Sequence, residues 1–226
     1  MEERTQNNDF IELDFTGYLQ DGSIFDTNNE QIAQKNKLDI KNPERTMCIG
    51  QRFLVKGFDN ALIGKEIGKE YVIELSPKDA FGDRMPELVK TMPIAVFHKQ
   101  NINPAPGMSF FLDNYFVRIS AVSGGRVIAD FNNPLAGKKI KYKFTVIRKI
   151  TDMDEKIKAL MRFFYRQEFE FSIEDKKIIV KLSKNLAPLI EIAKPQWREI
   201  LGFEIVSEEK DENSKKIKEA ETKPQT

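Results

Sequence analysis

The chain has 226 residues, 40% of them hydrophobic and 31% charged, with 36 Lys and Arg against 35 Asp and Glu. That length holds one large domain or two to three small ones, each able to bury a real core. Charges this nearly balanced exclude an overall field that draws the chain to nucleic acid or to an anionic membrane.

A single Cys and a single His exclude an internal disulfide and most zinc or Cys-His chemistry. Cys48, set between Met47 and Ile49, reads as a small core hydrophobe. Seventeen Phe against five Tyr and one Trp favour dry aromatic surfaces over hydrogen-bonding ones. No apolar run approaches the ~20 residues that span a bilayer. The opening MEERTQNNDF lacks the apolar core of a signal peptide, so a cytoplasmic protein is expected.

In chain order, residues 10–19 alternate, with Ile11, Leu13 and Phe15 against Glu12, Asp14 and Thr16, which predicts a half-buried strand. A Gln-Asp-Gly turn leads into a second strand holding Phe25 and Asp26. In a regular strand these neighbours point to opposite faces, so Asp26 is either the solvent side of a hairpin or a carboxylate placed on purpose. Residues 28–46 are polar and loop-like, with a short helix around Ile32. GFDNALIG predicts a short helix between Gly57 and Gly64, and YVIELSP a strand ending in proline.

Residues 84–132 form a second β-rich block. In it YFVRISAV is opened by an Asp113-Asn114 turn, and SGG turns the chain into RVIADFN. Tyr115, Val117, Ile119 and Ala121 share one face of YFVRISAV, while Phe116 falls on the other beside Arg118 and Ser120. The strand IKYKFTVI follows at 140–147. From Thr151 a helical spacing of Ile157, Leu160, Met161 and Phe164 begins. FEFSI and KIIVKL read as strands around Glu174-Asp175. KPQWREILGF reads as a helix with Pro195 near its first turn and Gly202 at its end. Residues 207–226 carry mixed charge and few apolar side chains, and are expected to be a disordered tail.

Conventional catalysis finds little material here. IGKEIGKE lacks the spacing of a phosphate loop, and His98 has no nucleophile or acid to work with. The row Lys139, Lys141 and Lys143 fits a wet strand face.

Taken together, FTGYLQDGSIFDT, IGQRFLVKGFDNALIGKEIGKEYVIELSPKDAFG and LAGKKIKYKFTV resemble the FKBP-type peptidyl-prolyl isomerases. The block at 84–132 stands where SlyD-like members carry an insert-in-flap domain, and the region after 151 is similar to that of long archaeal members. The resemblance implies an α+β fold, in which an FKBP-like antiparallel half-barrel sheet wraps a short helix. It implies an isomerase domain at 1–83 and 133–150, a small β-rich chaperone insert at 84–132, and a C-terminal α+β domain at 151–206.

The family's apolar bowl maps onto Phe15, Phe25, Met47, Leu54, Val55, Phe58, Phe81 and Phe144, with Asp26 as its carboxylate, turned inward at the rim. Phe15 and Phe81 stand where many members have tyrosine, and Phe58 where many have tryptophan or leucine. Asp26 then either acts on the twisted carbonyl or only locks the flap, and Phe15 and Phe144 fit core packing best.

The implied reaction is Xaa-Pro isomerisation in unfolded, proline-containing polypeptides, without metal or cofactor. In the insert, Met92, Ile94, Phe97, Tyr115 and Phe116 are the expected client contacts, since soft Met and Phe surfaces hold varied segments. A second reading stays open, a non-catalytic holdase with a decayed pocket. The oligomeric state is left open.

Overall fold

The computed structural model describes residues 3–39, 44–112 and 115–209 of the chain. These form two compact units that divide between Lys149 and Ile150.

In the first unit, β1 (Phe10–Leu19) is the spine. Its alternation buries Ile11, Leu13 and Phe15 on one face, as the spacing predicts. Along one edge of β1 lie two short strands end to end: β3 (Thr46–Cys48) beside residues 10–12 and β2 (Ile24–Thr27) beside residues 16–18. Along its other edge runs β9 (Ile140–Lys149), and β4 (Glu70–Leu75) closes the far side, all antiparallel.

The buried face covers α2 (Lys56–Ala61), which sinks Phe58 and, just past its end, Leu62 fully into the core. Gly57 permits that approach, because a Cβ there would lie 2.7 Å from Asp79 Cβ and 2.8 Å from Leu75 Cδ2. The buried Asp59 carboxylate accepts backbone N–H bonds from Gly50 at 2.9 Å and Arg52 at 3.1 Å. It thereby ties the 50–52 turn to the helix.

The polar stretch after β2 does contain a helix, α1 (Glu30–Lys35), capped by Asn29 Oδ1 accepting from Ile32 N at 3.1 Å.

Between β4 and β9 stands a second sheet, in the spatial order β5 (Val89–Pro93), β8 (Arg126–Asp130), β7 (Tyr115–Ser123), β6 (Ser109–Leu112). Its core is Phe97 from α3 (Ile94–His98) with Leu112, Val117, Ile119, Val127 and Ala129. The expected turn residues Asp113 and Asn114 lie outside the described residues.

The two ends of this insertion are bonded to each other. Met85 N donates to Asn132 Oδ1 at 2.8 Å, and Asn132 Nδ2 donates back to Met85 O at 3.0 Å. Arg84 pairs with Asp130 at 2.5 Å, and Gly137 N donates to Gly82 O at 2.8 Å. The insertion thus leaves and rejoins the first sheet at one point.

The second unit begins with α4 (Met153–Tyr165), whose Asp152 cap accepts from Glu155 N at 2.9 Å. It buries Ile157, Leu160 and Met161. The hairpin of β10 (Glu170–Glu174) and β11 (Lys177–Leu182) turns through Asp175 and Lys176, both at positive φ. A crossover through α5 (Ala187–Leu201) then brings β12 (Glu204–Glu209) parallel to β11.

Two sequence expectations are corrected in this unit. The helix containing Pro195 starts at Ala187, with Pro188 in its first turn, so Pro195 lies inside it. An interior proline costs a backbone bond, but Ile190, Ala193 and Trp197 form one buried stripe that carries the helix past it. Ser207–Glu209, expected in a disordered tail, extend β12 beside Val180, Lys181 and Leu182. Residues 210–226 lie outside the described residues. No helix among the described residues is long and apolar enough to cross a membrane.

Candidate active site

The site is organised around Gly17. Across the β1–β2 pair Gly17 faces Asp26, but the next partner of Tyr18 is Ile24. Phe25 is therefore an extra residue on β2, a β-bulge, and such a bulge re-aims side chains that a regular strand would alternate. The consequence is direct. The Phe25 ring covers Gly17, with Cζ 2.7 Å from where a Cβ would stand, and its neighbour Asp26 shares the row of Gly17.

Rings assemble from there. Phe25 meets Phe81 edge-on at 5.9 Å and Tyr142 at 5.6 Å. Tyr142 stacks on Phe58 at 4.3 Å and meets Phe15 at 5.9 Å. Phe58 also contacts Phe15 at 5.6 Å and Phe144 at 5.1 Å. All the apolar bowl residues expected from sequence belong to this one cluster.

Their depths differ. Phe25, Leu54, Val55 and Phe81 are half-buried and form walls, whereas Phe15, Met47, Phe58 and Phe144 are buried beneath them. Phe53 adds a further half-buried wall.

One member was missed. Tyr142 touches Phe25, Phe15 and Phe58, while Phe144, the residue expected from β9, packs between Phe58 and Tyr71. The signal was present in the sequence, since positions 142 and 144 alternate onto the same buried face.

Asp26 sits on the edge strand with one side open to solvent. On its other side burial among the bowl's apolar groups raises its carboxyl above the ordinary 3.8, against a backbone hydrogen bond from Thr27 that lowers it. Burial likewise raises the Tyr142 phenol well above its ordinary 10.0, and the Asp26 charge raises it further. The phenol is a neutral donor at any ordinary pH.

The expected client contacts separate. Phe97 is fully buried as the centre of the insertion's own core, so as a surface contact it is corrected. The ring expected on a soft Met and Phe surface is instead the buried residue of α3. Met92 and Ile94 are half-buried against that core. Tyr115 is 65% exposed, and the half-buried Phe116 packs edge-on against Phe111 at 5.7 Å. Phe111, not foreseen, is 74% exposed and stands opposite Phe116 in the ladder.

An aromatic bowl on an antiparallel sheet that wraps one short helix defines the fold class. The comparisons with known proteins agree. The pattern of the family described as FKBP-type peptidyl-prolyl cis-trans isomerase matches residues 1–99, and that of the FKBP26 IF domain matches residues 90–135.

The chain is 32% identical over 143 residues to the short-type peptidyl-prolyl cis-trans isomerase of Methanocaldococcus jannaschii, covering 61% of this chain and 89% of that one. It is 27% identical over 151 residues to a probable FKBP-type 16 kDa peptidyl-prolyl cis-trans isomerase of Pseudomonas fluorescens, covering 65% and 92%. It is 31% identical over 103 residues to the SlyD isomerase of Vibrio cholerae, covering 43% of this chain and 50% of that one. This chain belongs to the FKBP-type peptidyl-prolyl cis-trans isomerases, enzymes that act on polypeptides. The reading as a non-catalytic holdase is not favoured.

The raised Asp26 carboxyl yields a prediction with a definite sign. Between 3.8 and the raised value the folded chain holds this proton more often than the unfolded chain. Stability therefore falls as pH rises through that window, and the cost is fully present above it. Asp26→Asn should melt slightly above the parent at about pH 7, a small gain because the carboxylate is largely exposed, and lose that advantage as pH drops towards the ordinary carboxylate range. Its peptide activity should meanwhile fall by roughly threefold to tenfold, about 0.7–1.4 kcal/mol of barrier. Thermal melts across pH and a cis/trans assay check both halves.

Proposed function

We propose that Phe25, Phe81, Leu54 and Val55 grip the proline ring of an Xaa-Pro segment over the buried Phe58 and Tyr142, with Asp26 at the rim. The observation that carries this reading is the bulge at Phe25, which spends a ladder position to bring a ring and a carboxylate to one place.

The uncatalysed bond rotates over about 18–20 kcal/mol, set by amide resonance. The planar amide has the larger dipole and is the state that water stabilises more. A dry aromatic bowl withdraws that solvation, so the planar state loses more than the twisted one, and each ~1.4 kcal/mol of difference gives tenfold in rate. The carboxylate of Asp26 adds to this by repelling the negative carbonyl oxygen of the planar form.

The isomerase domain is assigned to 1–83 and 133–150, the insert to 84–132, and a C-terminal α+β domain to the residues from 151 onward. The bonds that join Met85 to Asn132 and Arg84 to Asp130 support the first division. The exposed Phe111 and Tyr115 with Phe116 are assigned as a client-binding patch, which gives the enzyme a chaperone function on unfolded chains. Met92 and Ile94 contribute from its margin. The buried, reduced thiol of Cys48 suits a reducing compartment, and the cytoplasm is the assigned location.

Phe25→Ala and Phe81→Ala should each lower activity on a short Xaa-Pro peptide by well over about tenfold, or more than 1.4 kcal/mol of barrier. Both variants should stay folded, because the two rings are half-exposed. Activity close to the parent in both sinks the pocket assignment.

Replacing 85–131 by a short Gly-containing linker should leave a folded enzyme that still turns over peptides, because its ends are already bonded neighbours. It should lose most activity on a refolding protein limited by proline isomerisation, since tethering a client raises its local concentration at the bowl. An unchanged ratio of protein to peptide activity removes the client site from the insert.

A further inference from the structure

Asp26 on β2, Gly17 on β1 and Tyr142 on β9 stand opposite one another in a single row across three strands. Directly opposed residues share a face of the sheet, and two strand spacings set the outer pair ~10 Å apart at the backbone. A side chain at 17 would fill the gap. Glycine leaves it to the Tyr142 ring, whose Cε1 lies 2.8 Å from where a Cβ would be.

That ring is held on three sides by Phe58, Phe15 and Phe25. Tyr142 is 3% exposed and its hydroxyl takes no protein hydrogen bond among the described residues, but the hydroxyl is not sealed from solvent as Tyr165 Oη and Trp197 Nε1 are. The hydroxyl therefore keeps a tip that a bound segment can reach, and packing does not call for it. Phenylalanine would fill the same volume, as it does at 15, 58 and 144.

We propose that the Tyr142 hydroxyl is a catalytic hydrogen-bond donor, given to the nitrogen of the bound proline as the Xaa-Pro amide twists. This rests on the bowl being the site of isomerisation. In the planar amide the nitrogen lone pair is delocalised into the carbonyl and accepts no hydrogen bond. Twisting returns the pair to nitrogen, which then accepts one. A donor placed there favours the twisted state alone, and so raises kcat rather than tightening substrate binding.

The carbonyl oxygen is the wrong recipient. It is most negative in the planar amide, and a donor held there slows rotation. Asp26, on the same face, discourages the planar carbonyl from turning toward it and keeps the proton on the phenol. No proton is transferred, and no bond is made or broken.

Tyr142→Phe tests this, because it keeps the ring and removes only the hydroxyl. On an Xaa-Pro tetrapeptide kcat should fall about tenfold, about 1.4 kcal/mol, with KM unchanged. The variant should melt close to the parent, since the ring packing is kept and no protein hydrogen bond is lost. A kcat within about twofold of the parent overturns the assignment. So does a raised KM at unchanged kcat, which makes the hydroxyl a ground-state contact. Phe81→Ala measured in parallel separates the failures. If it is inactive while Tyr142→Phe is silent, the bowl stands and only the donor falls; if both are silent, the bowl falls as well.

Discussion

At Gly17 the sheet sets two residues of β2 against one of β1, and the candidate site depends on that mismatch. A regular pairing sends either Phe25 or Asp26 to solvent, because neighbours in a strand face opposite ways. With the bulge, the ring covers Gly17 and the carboxylate shares its row. The glycine is the other half of the device, since the rings of Phe25 and Tyr142 occupy the space its side chain would need. Bulges of this kind lie beside active sites for this reason: they trade a ladder bond for an orientation.

What surrounds the bulge keeps it in place. Thr16 and Thr27 share a buried hydroxyl bond at 3.0 Å, and Asn28 bridges β1 twice, accepting from Phe15 N at 2.8 Å and donating to Leu13 O at 2.7 Å. These bonds pin the end of β2 just past Asp26. From the opposite wall, Asp59 holds the 50–52 turn against α2, so that Leu54 and Val55 enter the bowl from a fixed backbone. Polar bonds set the frame, and apolar rings fill it.

Much of this was legible from residue order. The alternation of β1 gave its buried face, and the Phe-rich composition foretold a dry site. What alternation does not reveal is an extra residue in a strand of four, so the meeting of Phe25 and Asp26 at one face needed the ladder register. Tyr142 was hidden by degeneracy, because it and Phe144 obey the same period and only depth tells wall from support. Phe97 was misread for a related reason: an apolar residue on a short helix looks alike whether it packs inward or waits for a partner. Pro195 imitated a helix start, and the stripe through Ile190, Ala193 and Trp197 outweighed it. The last strand went unseen because its exposed residues are as charged as the tail that follows.

The central claim is that this bowl speeds rotation by what it excludes and where it points its dipoles, with no proton changing hands. The most direct measurement is kcat/KM for an Xaa-Pro peptide from about pH 7 to about pH 9, in the parent and in Asp26→Asn. No titrating acid–base pair takes part in the rotation, so the account predicts two flat profiles differing only in height. A profile that rises or falls steeply within that range contradicts it, and moves the chemistry to a titrating acid–base pair.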